Sequence, residues 1–136
     1  MDRIHEAFRH QGPLHLMGAT LVHVAPGEVD IALPFRPEEA QHHGFFHGGV
    51  IATVLDVACG FAALTRMEPE QEVLTAEFKL NFLSPARGGL LVARGRVVKP
   101  GRLLSVCTGN AFCVTDGREQ HVALMQATMA GVRRRE

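Results

Sequence analysis

His47-Gly48-Gly49-Val50-Ile51-Ala52-Thr53-Val54-Leu55-Asp56-Val57-Ala58-Cys59-Gly60-Phe61-Ala62-Ala63-Leu64-Thr65 is the stretch whose reading decides the fold. Between Gly48 and Thr65 only Asp56 carries a charge at neutral pH. The run is too long for an ordinary strand, is rich in Ala and Leu, and gives way to Arg66 with Pro69 close behind. It therefore predicts a helix, apolar all round and for that reason buried. A membrane-spanning helix is the rival reading. The interior Asp56, three glycines and a length of only 18 residues weigh against it.

Outward from this helix the pattern changes to period two. Upstream, a short amphipathic start leads to Thr20, Val22 and Val24 in alternation with their neighbours. Pro26-Gly27 then turns the chain into Val29, Ile31, Leu33 and Phe35, with Pro34 and Pro37 ending the strand. A polar loop, Glu38 to Gly44, connects to the helix. Downstream, Leu74, Ala76, Phe78, Leu80 and Phe82 form an apolar stripe opposite Thr75, Glu77, Lys79 and Asn81. Leu91, Ala93, Gly95 and Val97 face one way on the next strand. Pro100-Gly101 and Asp116-Gly117 mark turns into strands over 103–115 and 120–132. One buried helix followed by long strands predicts an α+β fold, an antiparallel sheet wrapped around a single central helix. With 136 residues, the chain predicts one domain over 1–136.

Composition narrows the function. Fourteen basic and fourteen acidic residues cancel, and the chain has eight Phe but no Trp or Tyr. Neither a basic phosphate-binding surface nor a stacking platform is indicated, so nucleic acid is not the expected partner. Cys59, Cys107 and Cys113 are odd in number and lack zinc-like spacing, which suggests reduced thiols in a cytoplasm. The N-terminus mixes charges and shows no signal peptide, and Arg133-Arg134-Arg135-Glu136 reads as a solvated tail.

Two places carry possible chemistry. A lone carboxylate such as Asp56 on an apolar helix is costly unless it is paired or faces a wet cleft. It is either a helix-face residue bonded to a neighbouring backbone group or Thr, or a general base or nucleophile tuned by its surroundings. His47-Gly48-Gly49 opens the helix with backbone N–H groups that a ligand can approach, where the helix dipole favours negative charge. Such a turn can hold the oxyanion of a carbonyl under attack, or can simply be a tight turn. His42, His43 and His47 lack supporting ligands at metal-binding spacing, so no metal site is expected. Ser84 and Ser105 are the only serines and neither sits in a nucleophile elbow, while Cys59 reads as a small core residue.

The stretch from Gln41 to Gly49, followed by a helix with Asp56, resembles the hotdog-fold acyl-CoA thioesterases of the phenylacetyl-CoA and 4-hydroxybenzoyl-CoA type. Asn81-Phe82-Leu83-Ser84-Pro85 and Gly101-Arg102-Leu103-Leu104-Ser105 are similar to the same branch, so the likeness covers residues 14 to 132 or so. The resemblance implies thioester hydrolysis, with Asp56 activating water or attacking the thioester and the Gly48 N–H polarising its carbonyl. It further implies that Gln41 places the water or nucleophile, that His47 orients the loop, and that Thr75 takes the place of a strand hydroxyl. No metal or redox cofactor is implied, coenzyme A being part of the substrate. Family members are homodimers, often paired into tetramers, with shared sites.

Helix geometry leads to the same point independently. Gly48 and Asp56 are eight residues apart, about 12 Å along a straight helix, too far to act on one carbonyl. Either they do not cooperate or Asp56 meets the turn of a second subunit. The resemblance favours the second case and implies an acyl-CoA and a second copy of the chain as partners. Gly49 and Phe61 are expected beside the substrate, with Leu14, Leu16 and Met17 shaping the acyl pocket. Arg102 and Ser105 are candidate contacts to CoA phosphates, against the simpler reading as solvated surface groups. Two alternatives stay open: an acyl-thioester dehydratase or hydratase, whose usual His-Phe-Pro-Gly signature is replaced here by Phe46-His47-Gly48-Gly49, and a non-catalytic acyl-CoA-binding module.

Overall fold

The computed structural model describes residues 2–36 and 44–134. Its elements are α1 (Asp2–Arg9), α2 (Gly12–Leu16), β1 (Thr20–Ala25), β2 (Glu28–Pro34), α3 (Gly48–Leu64), β3 (Gln71–Phe82), β4 (Leu90–Lys99), β5 (Leu104–Thr115) and β6 (Arg118–Arg133). The strands form one antiparallel sheet in the order β1-β2-β4-β5-β6-β3. β2 and β3 are consecutive strands but lie far apart in this order, so α3 must cross the sheet between them. The sheet wraps around that helix, which is the hotdog arrangement.

The helix ends one residue earlier than the apolar run suggests. Thr65 is its C-cap, and the Thr65 hydroxyl donates to the Ala62 carbonyl at 2.6 Å while accepting the Gly27 N–H at 2.7 Å. One side chain thus ends α3 and ties it to the β1–β2 turn. Val54, Leu55, Ala58, Cys59 and Ala62 are fully buried against the sheet. The approach is closest at Gly95 of β4 and Gly109 of β5, which are cross-strand partners. A Cβ on Gly95 would stand 2.7 Å from the Cys59 backbone nitrogen and closer still to the Ala58 carbonyl, and one on Gly109 would stand 2.9 Å from Cys59 Sγ. The helix backbone occupies the space of the missing side chain at Gly95, and the Cys59 and Leu55 side chains occupy it at Gly109.

Burial of α3 on all sides is not observed. A single sheet covers only one side of a helix, and a stripe containing Gly49, Ala52, Thr53, Asp56 and Val57 is left exposed or half-buried. The stripe lies beside β3, an edge strand that among the described residues pairs with β6 alone. The even alternation expected for β3 is interrupted as well: pairing to β6 shifts between Thr75 and Glu77, leaving Ala76 as a bulge. A bulge reverses the facing of residues on its two sides. Val73 before it and Leu80 after it consequently both pack on the core.

Burial pushes the thiols of Cys59 and Cys113 up from their ordinary range, and that of Cys107 up to about 11. All three behave as small core residues. The glycine seat yields a direct prediction. Gly95→Ala should lower stability by about 2 kcal/mol or more, because its new methyl meets backbone that cannot move aside. Gly12→Ala, where nothing lies within 4 Å, should leave stability unchanged or slightly raised. The urea midpoints of the two variants measure the contrast.

Candidate active site

Asp56 stands on the open stripe of α3, half-buried rather than enclosed. The Thr75 hydroxyl donates to Asp56 Oδ1 at 2.6 Å, a short bond of the charge-assisted kind. Simple alternation puts Thr75 opposite the apolar stripe of β3. The bulge at Ala76 turns Thr75 toward the helix while keeping Leu80 there too. Asp56 therefore has the Thr partner that a purely structural reading allowed, but Oδ2 has no donor among the described residues. Asp56 borders a small pocket of about 180 Å³, lined also by Gln11, Val57, Gly60, Phe61, Val73 and Thr75.

The His47-Gly48-Gly49 turn is built at the N-terminal end of α3. His47 is the N-cap, in an extended conformation (φ −64°, ψ 138°), and its Nδ1 accepts the Gly49 N–H at 3.0 Å. That bond needs a lone pair on Nδ1, so in the neutral ring the proton is on Nε2. The His47 carbonyl takes the N–H groups of Val50 and Ile51 at 3.0 and 3.2 Å. The Gly48 N–H is left with no acceptor among the described residues.

The turn is held from behind. The Phe46 N–H donates to the Ala86 carbonyl at 2.8 Å, and the Phe46 ring meets Phe35 edge-on at 5.1 Å. A groove of about 520 Å³ runs between Phe45, Phe46 and Gly48 on one wall and Phe82, Ser84 and Pro85 on the other. Phe82 is so close that a Cβ on Gly48 would lie 3.0 Å from its Cζ. The two motifs quoted from the sequence, around His47 and around Phe82, are neighbours in space.

Other expected residues divide. Phe61 is buried and lines the Asp56 pocket, and Gly49 is exposed beside its cap. Ser105 is only 2% exposed and its Oγ accepts the Gly101 N–H at 3.2 Å, so it braces a turn and does not face solvent. Arg102 is exposed. Of the residues expected to shape an acyl pocket, Leu14 is in the core, Met17 packs against it, and Leu16 is 79% exposed, so none of them lines the space beside Asp56. Gln41, with His42 and His43, lies outside the described residues. Sequence reasoning missed the capping bond of His47, since His is not among the favoured N-cap residues. It also missed Gln11, which only the fold brings beside Asp56. Among the described residues, no helix is long and apolar enough to cross a membrane.

Comparisons with known proteins agree with this architecture. Residues 43–119 match the family model described as the Thioesterase superfamily. The crystal structure of a thioesterase family protein from Silicibacter pomeroyi is 43% identical, covers 96% of each chain and superposes with a TM-score of 0.93. A candidate esterase of Saccharolobus solfataricus is 31% identical over 86 residues, and human acyl-coenzyme A thioesterase 13 is 31% identical over 87 residues. Each match takes in 63% of this chain and 61% of the relative, so the chain spans less than two thirds of the length of either.

The cap bond can be tested by itself. His47→Ala should cost about 1 kcal/mol, whereas His47→Asn, whose side-chain oxygen can accept the same N–H, should recover most of that loss. Denaturant unfolding of the three proteins measures the difference.

Proposed function

Because this chain belongs to the thioesterase superfamily, we propose that it hydrolyses acyl-CoA thioesters at two equivalent sites shared across a homodimer. The observation that carries this reading is the division of labour along α3. A carboxylate with one anchored and one free oxygen stands at Asp56, and an N–H without an acceptor stands about 12 Å away at Gly48. Neither group reaches a carbonyl held by the other in the same chain. A second copy, placed so that its glycine turn faces Asp56, completes the pair.

The edge of the sheet supplies a place for that copy. β3 has one unpaired edge, and Leu74, Phe78 and Phe82 are 59%, 42% and 57% exposed along it. An apolar edge strand left open is a hazard unless something covers it. Pairing β3 of one protomer with β3 of its partner extends the sheet and closes the open stripe of α3 inside the interface. The partial burial of Asp56 in one chain then becomes fuller burial in the dimer.

In the proposed reaction the thioester carbonyl lies against the Gly48 N–H and Asp56 comes from the partner. Asp56 Oδ2 takes a proton from water as the water oxygen bonds to the carbonyl carbon. Negative charge moves to the carbonyl oxygen, where the Gly48 N–H and the positive end of α3 stabilise it. The carbon–sulfur bond then breaks, the proton passes to the leaving sulfur, and free acid and CoA thiol depart. The same geometry allows direct attack by the carboxylate through an anhydride. Entry of ¹⁸O from solvent water into the Asp56 carboxylate in a single turnover distinguishes that route. Thr75 acts by holding Oδ1, which fixes the direction in which Oδ2 points.

Thiol release from a panel of aryl, short and long acyl-CoAs tests the activity. Asp56→Asn should lower kcat about 10²–10⁴-fold with the thermal midpoint unchanged. Thr75→Ser should retain most activity, and Thr75→Val should lose more. Full activity in a folded Asp56→Asn protein would overturn the reading.

A further inference from the structure

We propose that Gln11 is a specificity-determining residue that selects acyl groups carrying a hydrogen-bonding oxygen over unsubstituted ones. This rests on the thioesterase reading above and adds to it a residue from outside the 43–119 stretch that matches the family. Gln11 lines the small pocket containing Asp56, Thr75, Phe61 and Val73. With Phe61 and Val73 it also lines a larger groove of about 630 Å³ that continues beneath α1 past Ala7 and Leu64. Gln11 therefore stands where the two spaces join, on the course of any acyl group that leads away from Asp56 in that direction.

The amide is uncommitted. Gln11 is the residue before α2, a position where side chains often cap, yet its side chain makes no cap bond and has no hydrogen-bond partner among the described residues. Its backbone, by contrast, is held firmly. The Gln11 N–H donates to the Phe8 carbonyl at 3.0 Å, and the Gln11 carbonyl accepts the His15 N–H at 3.1 Å. Around it, Ile4, Phe8 and Leu14 are buried, and His15 Nε2 lies 2.9 Å from the Phe8 carbonyl. Arg3 fastens α1 to the segment before β3 by donating to the carbonyls of Glu68 at 3.0 Å and of Met67 and Gln71. A polar group with a fixed base and free donors and acceptors is thus presented beside Val57, Phe61 and Val73 where the two spaces join, which is how binding pockets confer orientation. Val57, Phe61 and Val73 offer nothing to pair with a hydroxyl or keto oxygen, and Thr75 is already bonded to Asp56. In the larger groove Arg3 is held by backbone carbonyls, His10 by Glu6 and Arg134 by Glu72, so Gln11 is the uncommitted group that recognises such an oxygen. An acyl group without such an oxygen leaves the amide desolvated and unpaired.

The test compares matched substrate pairs, benzoyl-CoA against 4-hydroxybenzoyl-CoA and hexanoyl-CoA against 3-hydroxyhexanoyl-CoA, with wild type, Gln11→Leu and the less branched Gln11→Met. In at least one pair, wild type should favour the oxygen-bearing member by about 3–10-fold in kcat/KM, and both variants should lose that preference by slowing on that member alone. An unchanged ratio in either folded variant overturns the role of Gln11 while leaving hydrolysis by Asp56 intact. Hydrolysis that survives Asp56→Asn overturns the catalytic reading instead, and the Gln11 ratio is still measured. Absence of hydrolysis for every pair in the wild type overturns both.

Discussion

The sheet puts no side chain of its own under α3 where Gly95 and Gly109 pair, and the rest of the molecule is arranged around that contact. Small residues at Ala58, Cys59 and Ala62 let the helix settle on the two strands. Its depth then determines where each end comes to lie. At the C-terminal end, Thr65 reaches the β1–β2 turn. At the N-terminal end, the glycine turn meets the segment after β3 through Phe46 and Ala86. The same seating decides which side of α3 remains uncovered, and Asp56 is on that side. A helix pressed this closely onto one sheet must present its opposite face to something else.

The proposed catalysis draws on two features of a single helix that cannot meet within one chain. Its first turn offers an N–H and a positive dipole end, and its third turn offers a carboxylate. A straight α3 keeps them about 12 Å apart. The bulge at Ala76 adds the third feature, because it turns Thr75 toward Asp56 without taking Leu80 out of the core. One extra residue in an edge strand reconciles a packing demand with a polar one. The open edge of β3 and the open stripe of α3 adjoin, so one copy in the proposed dimer covers both.

Much of this was legible in the chain itself. Period-two runs and turn dipeptides placed the strands, and the length and composition of 48–65 placed the helix. The inward facing of Leu91, Ala93, Gly95 and Val97 followed from alternation alone. Alternation also held the signal for Ser105, which shares its parity with the buried Cys107, Ala111 and Cys113 and so had to point inward. Other features are relations between distant segments and leave no local mark. The bulge exists only relative to the partner strand β6, so the sequence of β3 reads as unbroken alternation. Gln11 lies 45 positions from Asp56 in a segment whose own pattern is only that of a short helix. The openness of one helix face depends on how many layers cover it, which hydropathy does not record.

The central claim is that each site draws its carboxylate and its glycine turn from different chains, and mixed dimers test it most directly. Gly48→Pro removes the N–H at a position that suits proline, His47 being already extended, and Gly48→Ala, which sets a Cβ against Phe82 but keeps the N–H, controls for the added bulk. Asp56→Asn removes the base. The Gly48→Pro and Asp56→Asn homodimers should each be nearly inactive. A purified dimer with one subunit of each kind carries one site with both groups intact and one with neither, so it should show about half the wild-type activity. A mixed dimer as inactive as its two parents would place both groups in the same chain's site and contradict the account.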